Sequence, residues 1–181
     1  MKSIPYLSFY ISLALLSSNC SNNANTAIEK EDNGAWKIVN LVDDFGDVKE
    51  GESAIVATFP GKMSNSAVSD ESLIVKFEIY DSTTVVGFYE YGREPKAQLP
   101  DRAFINLKLK LSNGEVLGIK QFLFKDYMVD SDNELLALLL SQENPIKAIL
   151  DFRSIDRYES TVYEFTIEPK GLKALKEKMK K

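Results

Sequence analysis

Oxygen donors crowd the stretch DDFGDVKEGE, residues 43–52, where Asp43, Asp44 and Asp47 fall close together. Hard cations take such donors, so the three aspartates are candidate calcium ligands. The stretch is not an EF-hand, which needs acids at alternate positions and a glycine at the sixth. The plainer reading is a polar loop in which Gly46 turns the chain and an aspartate bonds its own backbone. A second polar group lies in FPGKMSNSAVSDES, residues 59–72. There Ser64, Asn65 and Ser66 are candidate ligand-binding side chains. Lys62 next to Ser64 or Ser66 has the residue types of a base and its nucleophile. The plainer reading is again a structured loop whose side chains satisfy backbone groups.

Tyr80, Phe88, Tyr89, Tyr91, Tyr127 and Tyr158 form a third group. Aromatic rings on an exposed sheet can stack on sugars, and they also favour strands without any ligand. Asp130, Asp132 and Glu134 have the residue types of a glycosidase pair. Their place just before an apolar run fits helix capping with less. No residue is assigned a catalytic role.

The chain contains no histidine. A Ser-His-Asp or Cys-His arrangement, an HExxH zinc site and a histidine proton shuttle are therefore excluded within it. Carboxylate pairs, lysine-assisted serine and oxygen-ligated metals remain. No cofactor is expected, with calcium the one candidate. The chain carries 22 basic and 27 acidic side chains, a net charge of −5. That balance argues against nucleic acid, and against adhesion to anionic lipid by charge alone.

The single cysteine, Cys20, follows an apolar run from Tyr6 to Leu16. A bilayer span takes roughly 20 apolar residues, so this run is too short to cross. Lys2 before it and small polar residues after it give the layout of a secretory signal. The segment resembles a bacterial lipoprotein signal, in which the cysteine is lipidated and becomes the first mature residue. Ser17 and Asn19 depart from the usual leucine and small residue. The resemblance implies residues 1–19 as signal peptide, an acyl (palmitate-type) anchor on Cys20, and an address at the bacterial envelope. Ser21 after the cysteine favours the outer membrane. Two or more acyl chains hold a protein far better than one. Residues 20–34 then read as the lipidated cysteine and a polar tether. Its 14 residues after Cys20 reach roughly 20 Å. Residues 35–181 read as one β-rich domain.

The elements that must position the polar groups follow from periodicity. In RAFINLKLKLSNGEVLGIKQFLF, Ile105, Leu107, Leu109 and Leu111 share one side while Asn106, Lys108 and Lys110 share the other. That is a strand with one wet face. Asn113-Gly114 marks a hairpin. Matching like faces selects a three-residue loop, with Leu109 opposite Leu117 and Leu107 opposite Ile119. Further strands are expected at 36–42, 53–59, 72–80, 84–91, 146–152 and 161–168. Ser131-Asp132-Asn133-Glu134 has the pattern of a capping box before a leucine-rich helix. A C-terminal helix follows Pro169, with Leu172, Leu175 and Met179 as its apolar stripe. The expected fold is an antiparallel β-sandwich, or partly open barrel, of about eight strands with one internal and one C-terminal helix.

Two boxes, Asp43-Asp44-Phe45-Gly46-Asp47 and Met63-Ser64-Asn65-Ser66-Ala67, resemble the DEFGD-type and FSNSA-type boxes of an uncharacterised family of Bacteroidota secreted and lipoprotein domains. The late Tyr163-Glu164-Phe165 segment fits as well. The resemblance spans most of residues 36–179 and implies a β-rich extracytoplasmic domain, with no activity attached. These readings lead to a lipid-anchored, non-enzymatic binding or scaffolding module, whose partner is an envelope protein or glycan. The alternatives are a carboxylate-based enzyme or inhibitor acting on polysaccharide or peptidoglycan, and calcium-dependent recognition. In a lipid-modifying bacterial host, mass spectrometry should find the mature chain starting at an acylated Cys20. Cys20→Ser should abolish incorporation of labelled palmitate; a mature chain with a bare Cys20 sulfur would end this assignment.

Overall fold

A computed structural model describes residues 34–81, 83–91, 104–124, 127–130, 132–153 and 160–179. Cys20, the segment 1–33, Ser131 and Tyr158 lie outside the described residues. The alternating stretches form nine strands: β1 (Lys37–Val42), β2 (Val48–Ser64), β3 (Glu71–Ile79), β4 (Thr84–Glu90), β5 (Phe104–Lys110), β6 (Val116–Phe124), β7 (Tyr127–Asp130), β8 (Ile146–Arg153) and β9 (Ser160–Ile167). Among the described residues there are also two helices, α1 (Glu134–Ser141) between β7 and β8 and α2 (Leu172–Met179) after β9.

The fold is the expected antiparallel one, in its barrel form and fully closed. The strands run β1-β2-β3-β4-β7-β6-β5-β8-β9, and β9 pairs back onto β2. Eight strands make the barrel and β1 is the extra one. Closure rests on four rungs, Gly61↔Phe165 to Ser64↔Val162. The other half of the same β2 edge, Val48 to Val56, pairs with β1. Pro60, which cannot donate to a ladder, falls in the gap between the two partners. At the seam the strands approach closely: a Cβ on Gly61 would lie 2.7 Å from the Glu164 carbonyl oxygen and 3.0 Å from Phe165 Cβ. Only glycine fits there.

The β5–β6 hairpin has the expected register, with Leu109↔Leu117 and Leu107↔Ile119. Leu111 N–H bonds Glu115 O at 2.9 Å, and Gly114 takes a φ of 87°. Two expectations need extending. The strand expected at 53–59 runs from Val48 to Ser64, because the arm with β1 and the seam with β9 both lengthen it. β7, only four residues long, was not anticipated; its alternation is too brief to register in the sequence.

An eight-stranded barrel is just wide enough for side chains to fill. Here the filling is aromatic. Trp36 packs edge-on against Phe59 and Phe77, with centroids 5.5 and 5.8 Å away. Phe88 stacks on Tyr163 at 5.2 Å, and Phe152 meets Tyr163 edge-on. Fully burying such a side chain contributes about 1.5–3 kcal/mol. Both helices leave from one end of the barrel. α1 follows Asp130, whose partner Thr84 begins β4, and leads into Ile146, whose partner Ile167 ends β9. α2 follows β9 directly. Leu135, Leu136 and Leu139 of α1 and Leu172 and Leu175 of α2 join the core there, as a leucine-rich plug should.

Ser131, the expected start of the capping box, lies outside the described residues. Asn133 is the N-cap residue, in the left-handed region (φ 58°), and makes no side-chain cap bond. Asp130 caps the helix: Oδ2 accepts Leu136 N–H at 3.0 Å, while Oδ1 accepts Gln121 Nε2 at 3.1 Å. Asp130 faces inward at the end of β7, so it reaches the helix from inside the barrel. Lys176 is also buried, unlike the solvated lysines around it; its ammonium donates to Tyr80 O at 2.8 Å and Asp81 O at 2.9 Å. That contact ties α2 to the β3–β4 hairpin. Gly61→Ala, which forces the seam apart, should lower unfolding free energy by about 1–3 kcal/mol in urea titrations; unchanged stability would show that the seam gives freely.

Candidate functional site

The polar groups singled out in the sequence resolve into turns. Asp43 Oδ1 accepts Phe45 N–H at 2.9 Å and Asp47 N–H at 3.0 Å, and Asp43 N–H bonds Asp47 O. The aspartate is thus engaged in building the β1–β2 turn, with Gly46 at φ 89°. Among the described residues no group of three or more Asp, Glu, His or Cys side chains is placed to hold a metal. Phe45 at the tip is 93% exposed. Asn65 Oδ1 accepts Ala67 and Val68 N–H, and Ser64 Oγ accepts Asp70 N–H. Lys62 faces Asp70 at 3.3 Å across the surface, not a serine. Ser66 is exposed in the same turn. Both boxes therefore shape backbone. Of the three acids near α1, Asp130 is buried in the capping role, while Asp132 and Glu134 are exposed.

The tyrosines divide differently. Phe88 belongs to the core and Tyr91 is exposed at the end of β4. Tyr80, Tyr89 and Tyr127 come together on the outer wall of β3, β4 and β7, where alternation turns the even positions of β3 outward. The register sets Lys76 beside Gly87, and Gly87 beside Tyr127; Ile74 stands beside Tyr89. Gly87 is buried on this wall because the two rings close over it. A Cβ there would meet Tyr89 Cε2 at 3.2 Å and Tyr127 Cε1 at 3.4 Å. A glycine without a side chain leaves a notch in a sheet, and flanking aromatic rings fill it. Lys76 Nζ lies 2.6 Å from Glu78 Oε1, and the Tyr80 hydroxyl donates to Glu78 Oε2 at 2.7 Å. The row Lys76, Glu78, Tyr80 is therefore a connected polar rim along half-buried rings. Val85, Val129 and Phe122, also half-buried, continue the face across the barrel.

The hydrogen bond to Glu78 raises the Lys76 ammonium above its usual value, against the opposing effect of burial. Burial, then the Glu78 carboxylate, pushes the Tyr80 phenol up to about 12. Inside the barrel, Tyr163 is pushed up as well, by burial first and then by its bond to Glu90 Oε1. That pair points into the core from the end opposite the helices.

Comparison with protein-family models, with curated proteins and with solved structures finds no match to the chain. No helix among the described residues is long and apolar enough to cross a membrane.

The sequence reading found the tyrosines but missed their companions. Lys76, Glu78 and Tyr80 alternate on the wet side of a strand already recognised, and that signal was legible. Gly87 was not, because its role depends on Tyr127, 40 residues away in the chain and a neighbour only through β4–β7 pairing. The Tyr80 shift makes a pH prediction with a definite sign. Folding holds the phenol neutral, so its contribution is complete below pH 10 and fades as pH rises toward 12. The stability difference between the wild type and Tyr80→Phe should therefore drift in the variant's favour above pH 10, in denaturant titrations across that range. A difference independent of pH would remove the argument.

Proposed function

We propose that this chain is a lipid-anchored protein of the bacterial cell envelope that binds a glycan, without catalysis, on the outer tyrosine face of β3, β4 and β7. The observation that carries the reading is Tyr89 and Tyr127 closing over Gly87 beside the Lys76–Glu78–Tyr80 rim. Rings laid over a glycine offer an apolar platform for the C–H faces of a sugar, and the rim offers donors and acceptors for its hydroxyls. The aromatic filling of the barrel supports a site on the wall, since side chains already occupy the interior. Cys20 after its apolar run, and the resemblance of the two boxes to extracytoplasmic domains, support the address.

Aromatic pairs contribute about 0.5–1.5 kcal/mol each, and the same scale is taken for a ring on a sugar face. Tyr89→Ala combined with Tyr127→Ala should then weaken binding about 10- to 100-fold. The measurement is co-sedimentation with purified peptidoglycan sacculi and calorimetric titration with chitohexaose. Lys76→Ala with Glu78→Ala serves as the companion variant, because it leaves the rings over Gly87 in place. Wild-type protein that binds neither probe, or a double tyrosine variant that binds as the wild type does, would overturn the glycan reading.

A further inference from the structure

The outer wall opposite the tyrosines has a different character. β8 lies four strands from β4 in either direction around the eight-stranded ring. On β5, β6 and β8 the outward positions carry Lys108, Lys110, Lys120 and Lys147, with Lys62 on β2 across β9, against Asp151 and Glu164, all exposed. Lys110 stands directly across from Lys147 in the β5–β8 ladder. Like charges in directly opposed positions repel, and here three of the lysines, Lys108, Lys110 and Lys147, have no carboxylate partner among the described residues. Between Lys62 and Lys147 runs a groove of about 360 Å³, lined also by Thr166, Ile149 and Glu164. A protein with a net charge of −5 thus concentrates unpaired positive charge on one side. Five of its acids, Asp43, Asp44, Asp47, Glu50 and Glu52, lie at and beside the β1–β2 turn instead.

The lysine wall also borders the point where the chain enters the barrel. Trp36 Nε1 donates to Glu168 O at 2.6 Å, which sets the start of the fold beside the end of β9. Ile167 pairs with Ile146, so Lys147 is the next rung along. On the lipid-anchored reading Cys20, the attachment to a bilayer, precedes Gly34 by 14 positions in the chain.

We propose that the wall of Lys108, Lys110 and Lys147 docks on the anionic lipid headgroups of that bilayer. The inference rests on the lipid-anchored reading of the chain. Charge complementarity selects the occupant: Asp151 and Glu164 on this face form no ion pair with Lys108, Lys110 or Lys147, and a phosphate-bearing surface supplies the opposite charge. Overall acidity does not by itself oppose this, because headgroup attraction acts within a Debye length, about 8 Å at physiological salt, and five of the acids sit at the β1–β2 turn rather than on β5 or β8. Docking this way turns β4 and its tyrosines away from the membrane.

The test uses the full chain produced in a lipid-modifying host and reconstituted into vesicles of phosphatidylcholine alone or with about 30% phosphatidylglycerol. Surface lysines are acetylated with an N-hydroxysuccinimide ester and mapped by mass spectrometry. Lys108, Lys110 and Lys147 should label about fivefold more slowly on the anionic vesicles, a difference lost near 0.5 M salt. Lys49 on the acidic arm should label alike on both. Equal labelling of the three lysines on the two vesicles overturns the docking while leaving the anchor standing. A chain that fails to float with either vesicle overturns the anchor and the docking together. Protection by soluble glycerol phosphate at matched phosphate concentration overturns the membrane as the source and assigns the wall to a free anion. Failure of the glycan titrations, by contrast, touches only the tyrosine face.

Discussion

Everything in this fold depends on the closure of one long strand onto itself through the rest of the sheet. β2 is paired along one edge by β3 and along the other by β1 and then β9, so a single strand holds both the start and the end of the barrel. The closure requires a backbone approach at Gly61 that no larger residue permits. Without it, β9 and β2 would each present an unpaired edge, the state that sheets avoid by pairing or covering. With it, the inward residues of eight strands enclose a volume that Phe59, Phe77, Phe88, Tyr163 and Phe165 fill.

That filling occupies the barrel interior with side chains, so the surfaces that the described residues offer are the outer walls and the rims. The two walls differ because strand order places different outward residues side by side. Half-buried tyrosines, valines and a lysine–glutamate–tyrosine row occupy the β3–β4–β7 side. Exposed lysines occupy the side around β8. The aromatic platform and the basic wall therefore lie on opposite faces of the barrel.

Much of the fold was legible, for a plain physical reason. Strand residues alternate faces, so Ile105, Leu107, Leu109 and Leu111 declare their side without help, and matching of like faces chose the β5–β6 register. Helix ends were less legible. Leu136 N–H bonds Asp130, whose inward position follows from its place on β7 and not from any pattern local to the helix. The aspartate and serine stretches were legible as polar turns, in which Asp43, Ser64 and Asn65 accept backbone N–H groups. The candidate sites were only half visible. Tyr80, Tyr89 and Tyr127 could be named from composition, but the glycine that gathers two of them could not.

By itself the sequence determined which side of each ribbon is dry, where Asn113-Gly114 and the Asp43 loop reverse the chain, and which histidine-based chemistries are impossible. These follow from local rules: side-chain alternation, turn residues and the inventory of titratable groups. Only the tertiary structure decided that β9 returns to β2, that Tyr127 lies beside Gly87, and that Lys110 faces Lys147. Those neighbours are far apart along the chain, and pairing across strands depends on the total apolar surface enclosed, which no short stretch of residues contains.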